Sequence, residues 1–174
     1  MQKKHFAWVT VGVICFSISI ASYLYSQQKT KSEGFDFVTS DAGATSSLNS
    51  LEYSIYKQIN NHRLKKGLPP LALNAQLTEQ ARRNSQLLAS NQIAFRKEDV
   101  SQANQSLNHL PHHGTSTLIA WNRGYINPAQ TTVDIWLTDN SSIKSIEGKY
   151  ELTGVGIARN AAGKYYVTQI LLRR

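Results

Sequence analysis

Twenty consecutive residues without a charge, Phe6 to Tyr25 (FAWVTVGVICFSISIASYLY), constrain this chain more than any other feature. As a helix rising ~1.5 Å per residue the run spans ~30 Å, the thickness of a bilayer's hydrocarbon core. Trp8 near one end and Tyr23 and Tyr25 at the other stand where aromatic rings favour the membrane–water interface. Lys3 and Lys4 precede the run, so the positive-inside rule holds residues 1–5 in the cytoplasm and sends the rest of the chain across. The expectation is a single-pass segment over residues 6–25 in the cell membrane, with everything after it extracytoplasmic. Ser19-Ile20-Ala21 also meets the small-x-small requirement for signal-peptide cleavage, in which case the chain is secreted. The apolar stretch continues past that point through Tyr23-Leu24-Tyr25, which favours an uncleaved signal anchor.

Residues 26–50 are rich in Gln, Ser, Thr, Gly and Asp, with Phe35, Phe37 and Val38 as the large apolar exceptions. They read as a flexible stalk lifting a domain, residues 51–174, off the membrane. From Leu51 onward there are 15 basic and 8 acidic residues, a net of +7. That balance favours anionic partners such as lipid head groups or cell-envelope polymers. The basic residues are dispersed, and Trp and Tyr are not interleaved with Arg, so nucleic acid is not expected. The one cysteine, Cys15, lies in the apolar run, which leaves the domain without a disulfide or a thiolate zinc site. The preceding Gly12-Val13-Ile14 is not a lipidation signal.

Leu51, Ile55, Tyr56, Ile59 and Leu64 recur at helical spacing, with Asn49 or Ser50 as the cap and Gly67 as the stop. Leu68-Pro69-Pro70-Leu71 is an extended connector. Asn74 caps a second helix whose inner face is Leu77, Ala81, Leu87 and Leu88 and which fades near Asn91. Residues 92–117 are irregular, and Thr117 to Trp121 suits a strand. Asn127-Pro128 opens a third helix with Val133, Trp136 and Leu137 inward. Leu152–Ala158 and Lys164–Leu172 form a hairpin turning at Asn160–Gly163, with Gly163 at positive φ. Gly154 and Gly156 mark a close approach by another backbone or side chain. The order predicts an α+β domain, three main helices on a small, largely antiparallel sheet.

Four stretches on this layout resemble the CAP superfamily, the SCP or cysteine-rich secretory-type domain. They are Ile59-Asn60-x-x-Arg63 with Gly67-Leu68-Pro69-Pro70-Leu71, Asn74-x-x-Leu77-x-x-x-Ala81, Trp136-Leu137, and Gly154-Val155-Gly156-Ile157-Ala158 with Tyr165-Tyr166-Val167-Thr168-Gln169. The resemblance covers Leu51 to Leu172 and implies a CAP-like α-β-α sandwich. Many members have a cleft with two His and two acidic residues that can bind a divalent metal. Here the matching stretches read Phe95-Arg96-Lys97, Ile119-Ala120-Trp121-Asn122 and Asn140-Ser141-Ser142. Lys97 replaces the first His, Ile119 or Trp121 replaces the Glu, and Ser142 stands where the second His belongs. Apolar side chains offer no lone pair and an ammonium repels a cation, so the metal site is degenerate and no metal or other cofactor is expected.

One histidine cluster remains, His109-x-x-His112-His113. No Asp or Glu occurs between Asp99 and Asp134 to partner it, and adjacent His112 and His113 point apart in extended chain. It reads as a polar loop over the cleft, where the imidazoles contact a polar ligand. The cleft candidates are therefore Lys97, His109, His112, His113, Trp121, Asn122 and Ser142. Ser85, Ser141 and Ser142 have no His-acid pair placed to activate them, Asp134 and Glu147 form no recognisable carboxylate pair, and there is no Gly-rich phosphate loop. The sequence leans away from an enzyme. It favours a membrane-tethered domain binding an envelope component, a lipid or a protein. A hydrolase of peptide or cell-wall material, or a purely structural interaction module, are the alternatives.

Overall fold

The computed structural model describes residues 46–174. The n-region 1–5, the apolar run 6–25 and residues 26–45 of the stalk lie outside the described residues. Among the described residues no helix is long and apolar enough to cross a membrane.

The first helix, α1, covers residues 46–65. Ile55 and Ile59 are fully buried on its inner face, with Leu48, Leu51 and Tyr56 against the same core. Residues 46–50, assigned to the stalk by composition, are therefore helical: burying Leu48 and Leu51 outweighs the weak helix preference of the polar residues around them. Ser50 is not a cap but an in-helix residue whose hydroxyl donates to the Ser47 carbonyl at 2.7 Å. The helix stops at Gly67, with φ +72°. The Gly67 N–H bonds the Leu64 carbonyl at 3.0 Å and the Leu68 N–H bonds the Arg63 carbonyl at 2.9 Å, the paired bonds of a Schellman cap.

Asn60 and Arg63 fasten the proline-containing connector to this helix. The Asn60 amide accepts from the Leu71 N–H at 2.8 Å and donates to the Leu71 carbonyl at 3.0 Å. Arg63 is 1 % exposed and donates to the carbonyls of Pro69, Ile146, Gly148 and Tyr150. Desolvation pulls its guanidinium pKa below the usual value, with Glu151 opposing from a distance.

After the connector come a two-residue strand, β1 (Ala72–Leu73), and α2 (Ala75–Ala89). Asn74 caps α2 by accepting from the Leu77 N–H at 3.0 Å, as the sequence predicts. The segment read as irregular contains a short helix, α3 (Lys97–Ala103), a 3₁₀ turn at Asn104–Leu107, and the start of a ten-residue strand, β2 (Gly114–Arg123). Next come α4 (Pro128–Thr138), a second short helix, α5 (Asn140–Ile146), and the hairpin of β3 (Leu152–Arg159) and β4 (Lys164–Arg173). Gly163 has the expected positive φ, +77°. The described residues hold five α-helices rather than three, because α3 and α5, seven residues each, are too short to show a helical period.

The sheet order is β1-β3-β4-β2, with β1 parallel to β3 and the other pairs antiparallel. Alternation along β4 divides the core. Val167 and Leu171 join α1, α4 and α5 around buried Trp136, whereas Tyr166, Ile170 and Leu172 meet α2, α3 and the 3₁₀ turn. Helices thus cover both faces. On the α2 side the contact is backbone to backbone: a Cβ on Gly154 would lie 2.2 Å from the Leu77 carbonyl carbon, and one on Gly156 2.1 Å from the Arg82 nitrogen. Glu52 of α1, 7 % exposed, takes a bidentate ion pair from Arg82 of α2 and also accepts the Ile157 N–H, tying both helices to β3.

Candidate functional site

Strand β2 is an edge of the sheet, and its C-terminal half borders a group of exposed apolar side chains, Phe95, Trp121, Tyr125 and Ile135. The Trp136 indole donates to the Ile119 carbonyl at 3.1 Å, on the side away from β4. Alternate residues of an antiparallel strand turn their N–H and C=O to the same edge, so Trp121 and Arg123 also present theirs outward. Beyond Arg123 the chain turns at Gly124, φ +77°, and enters α4 through the Asn127 cap and Pro128. That return brings Ile135 of α4 beside the strand. Phe95, before α3, closes the other side.

The result is an open groove of about 420 Å³ lined by Phe95, Ile119, Trp121, Arg123, Tyr125 and Ile135. Trp121 is 47 % exposed, Tyr125 58 %, and neighbouring Ile126 is wholly exposed. Phe95 meets Tyr166 edge-on at 6.4 Å. The Lys164 ammonium sits 3.6 Å from the Trp121 ring centre and 4.8 Å from that of Tyr166, a double cation–π contact at the groove wall.

The other family positions are engaged structurally. Lys97 donates to the Ser141 hydroxyl at 2.9 Å. Ser142 donates its N–H and its hydroxyl to Asp139, which caps α5, at 2.8 and 2.7 Å. The Ser142 hydroxyl is the main cause, ahead of its N–H, that holds the Asp139 carboxyl below the usual carboxylate range; Lys97 adds to the effect and desolvation opposes it. Asn122 is 2 % exposed and donates to the Pro128 carbonyl and the Thr132 hydroxyl, pinning β2 to α4. Its Oδ1 is buried without a partner among the described residues.

These residues do not suit the divalent metal of the family cleft. Lys97 brings a positive charge, Trp121 offers no acceptor and Ser142 has committed its hydroxyl. Ile119, the other residue considered for the acidic position, packs against Leu88 and Val100. Among the described residues no three His, Cys, Asp or Glu side chains converge to hold a metal ion.

The histidines stand apart from the groove. His109 is exposed and turns its ring to the Ser106 carbonyl, His112 turns its own to the Leu110 carbonyl, and the His113 N–H bonds the Arg173 carbonyl. His113 precedes β2 and Trp121 lies eight residues on, a separation of ~26 Å at ~3.3 Å per residue. Of the sequence candidates, Trp121 lines the groove openly, Asn122 supports it from below, Lys97 of α3 reaches Ser141 of α5, and Ser142 is spent on the Asp139 cap. Sequence reasoning missed Phe95, Tyr125 and Ile135 as groove residues, and Lys164 as the cation on the Trp121 ring. Ile135 did carry a signal, being a large apolar residue off the inner stripe of α4.

Residues 56–171 match the cysteine-rich secretory protein family, CAP. No curated protein matches the chain significantly. Among solved structures, a cysteine-rich secretory protein from Staphylococcus aureus superposes with a TM-score of 0.59 at 22% identity, covering 73% of this chain and 39% of that one. An extracellular SCP-domain protein from Bacillus anthracis gives 0.61 at 19%, covering 73% and 41%. An outer surface protein from Borrelia burgdorferi gives 0.58 at 16%, covering 68% and 89%. The chain thus spans about two-fifths of the first two proteins. A family match that runs from the middle of α1 into β4, on a fold shared with these structures, assigns the chain to the cysteine-rich secretory protein (CAP) family.

Proposed function

We propose that the domain is a non-catalytic binding module held outside the cytoplasmic membrane, and that its ligand is an extended segment of a partner protein lying along the free edge of β2. The observation that carries this reading is the coincidence of unpaired strand edge and apolar wall at Trp121. An extended segment would pair its backbone with Trp121 and Arg123 and seat alternate side chains on Phe95, Tyr125 and Ile135. Exposed aromatic and branched side chains around one groove are the kind of patch that marks an interaction surface. Arg123 in the groove lining and Lys164 on the Trp121 ring favour an acidic flank on the partner.

The export half of the proposal rests on the Phe6–Tyr25 run, and the relatives' descriptions as secretory, extracellular and outer surface proteins agree with it. Fractionation with N-terminal sequencing tests it: an intact N-terminus in the membrane fraction is expected, and a cytosolic product refutes it. The binding half is tested by recovering partners from envelope extracts with the full chain. A specific partner should be lost in Trp121→Ala and Ile135→Asp, and its binding should slow amide exchange at Trp121 and Arg123. Partners unaffected by both variants refute the groove.

A hydrolase reading has one contact in its favour, Lys97 to Ser141. Lys97 is the donor there, and among the described residues the Ser141 hydroxyl donates to no His or carboxylate. Turnover of casein or muropeptides that disappears in Ser141→Ala would restore that reading.

A further inference from the structure

At the opposite end of β2 from the groove, a second recess of about 370 Å³ opens between the C-terminal end of α5 and the beginning of the strand. Its lining includes Lys144, Lys149 and Arg173, together with Gly114, Ser145 and Tyr150, and no carboxylate. We propose that this recess binds a phosphate-bearing anion.

Three cations face one concavity, and among the described residues none of them is in an ion pair. The two acidic residues nearest in sequence are spent elsewhere. Glu147 bonds His62 at 2.8 Å and lies 3.5 Å from Lys66, and Glu151 accepts the Arg174 N–H at 2.8 Å. Mutual repulsion of uncompensated like charges is a standing cost that an anion removes. The recess is also shaped. Gly148 has no side chain, and a Cβ there would lie 2.6 Å from the Tyr150 ring, so that ring rests directly on the Gly148 backbone. Arg173 is held at the rim by donating to the His113 carbonyl at 3.1 Å, which leaves guanidinium donors for a ligand. A planar guanidinium and two ammonium groups around an open, polar recess suit the several oxygens of a phosphate better than a single carboxylate.

The phosphate can belong to a lipid head group or be soluble, and one experiment separates these. Full-length chain in a non-ionic detergent is titrated with inorganic phosphate against chloride at constant ionic strength, reading the Gly114 and Gly148 amide NMR signals. Saturable shifts are expected with phosphate, at least tenfold weaker in Lys144→Gln/Lys149→Gln and retained in the remote control Lys57→Gln/Lys65→Gln. The same chain is then placed in nanodiscs of phosphatidylcholine with or without phosphatidylglycerol. Signals already shifted by phosphatidylglycerol assign the site to the lipid phosphate, and signals that respond only to added phosphate assign it to a soluble one. Equal shifts in chloride, or equal phosphate response in the double variant, overturn the proposal.

Discussion

Replacing Gly156 by Ala is the most direct test of how α2 is seated. The added Cβ would meet the Arg82 nitrogen at 2.1 Å and the Ala81 carbonyl carbon at 2.2 Å. Both are backbone atoms of a helix interior, so no rotamer change relieves the clash. Ordinary carbon contacts begin near ~3.5 Å, so α2 must lift by more than ~1 Å. A gap of that size forfeits a quarter to a half of each dispersion contact under the helix. The helix buries Leu77, Ala81 and Leu88 against β4 and α3, and Ser85 bonds the Gly156 carbonyl and Thr168 hydroxyl at 2.9 and 3.1 Å. Overpacking of this kind costs about 3 kcal/mol, the upper part of the usual range, because the obstacle is backbone. With a urea m-value of about 1.5 kcal/mol per M, the midpoint should fall by about 2 M. The assay is urea unfolding of the full chain in non-ionic detergent, followed by far-UV circular dichroism. Gly124→Ala is the control. It has φ +77° and open space around its Cβ, so only backbone strain applies, about 1 kcal/mol. If Gly156→Ala shifts the midpoint no more than Gly124→Ala does, direct contact between α2 and β3 is not what sets the stability.

Arg63→Lys should lower stability by about 2–4 kcal/mol in the same assay, since one ammonium cannot serve the carbonyls of Pro69, Ile146, Gly148 and Tyr150, and unserved buried acceptors cost about 1–3 kcal/mol each; an unchanged midpoint refutes this. Asp139 and Glu147 are both held below their ordinary pKa, Asp139 chiefly by the Ser142 hydroxyl and Glu147 chiefly by its bond to His62. The stability they add is present above the ordinary carboxylate range and is lost as pH falls through their depressed values, so midpoints measured between neutral and strongly acid pH should decline less in Asp139→Asn/Glu147→Gln than in the parent. A decline of equal size in both proteins would count against these two carboxylates. Zinc titrated calorimetrically into the chain should give no saturable heat, alike in the parent and in the His109, His112 and His113 triple Ala variant; saturable heat that the triple variant loses reinstates a metal site.

How much of this was legible in the sequence depended on the range of the interaction involved. The Asn74 cap, the Gly67 stop and the Gly163 turn are local, and each could be read from a single residue beside a periodic run. Gly154 and Gly156 announced a close approach because glycine inside a strand has few other uses, although nothing local says that α2 is what approaches. Short helices escaped. The first turn of α5 depends on Asp139 capping Ser142, and a seven-residue helix shows less than two full periods. The groove was half visible. Trp121 and the loss of the family ligands could be read from the family motif, but placing Phe95 and Ile135 on either side of one strand edge requires the sheet order and the return of α4. The place of the histidine loop was hidden for the same reason. Loop composition says nothing about which end of β2 a loop joins, and His113 turned out to adjoin the end where Arg173 leaves the sheet.

The indole at position 121 decides what Lys164 can do. Lys164 pairs directly with Arg123 across β2 and β4, which puts it one diagonal step from Trp121 on the same sheet face. A carboxylate at position 121 would draw that ammonium into an ion pair within the cleft. The indole instead takes it onto its face at 3.6 Å, a contact that keeps the charge while leaving much of the ring exposed. Cation and aromatic surface then coexist in one wall without cancelling, which an ion pair would not allow. The same strand that holds this apolar wall begins ~23 Å away, at ~3.3 Å per residue, beside the basic recess at Gly114. Because β2 is hydrogen-bonded to β4 along its whole length, the two ends cannot move independently. A partner segment at one end and a phosphate at the other would therefore be bound at a fixed spacing and orientation. In such an arrangement the sheet contributes geometry rather than chemistry.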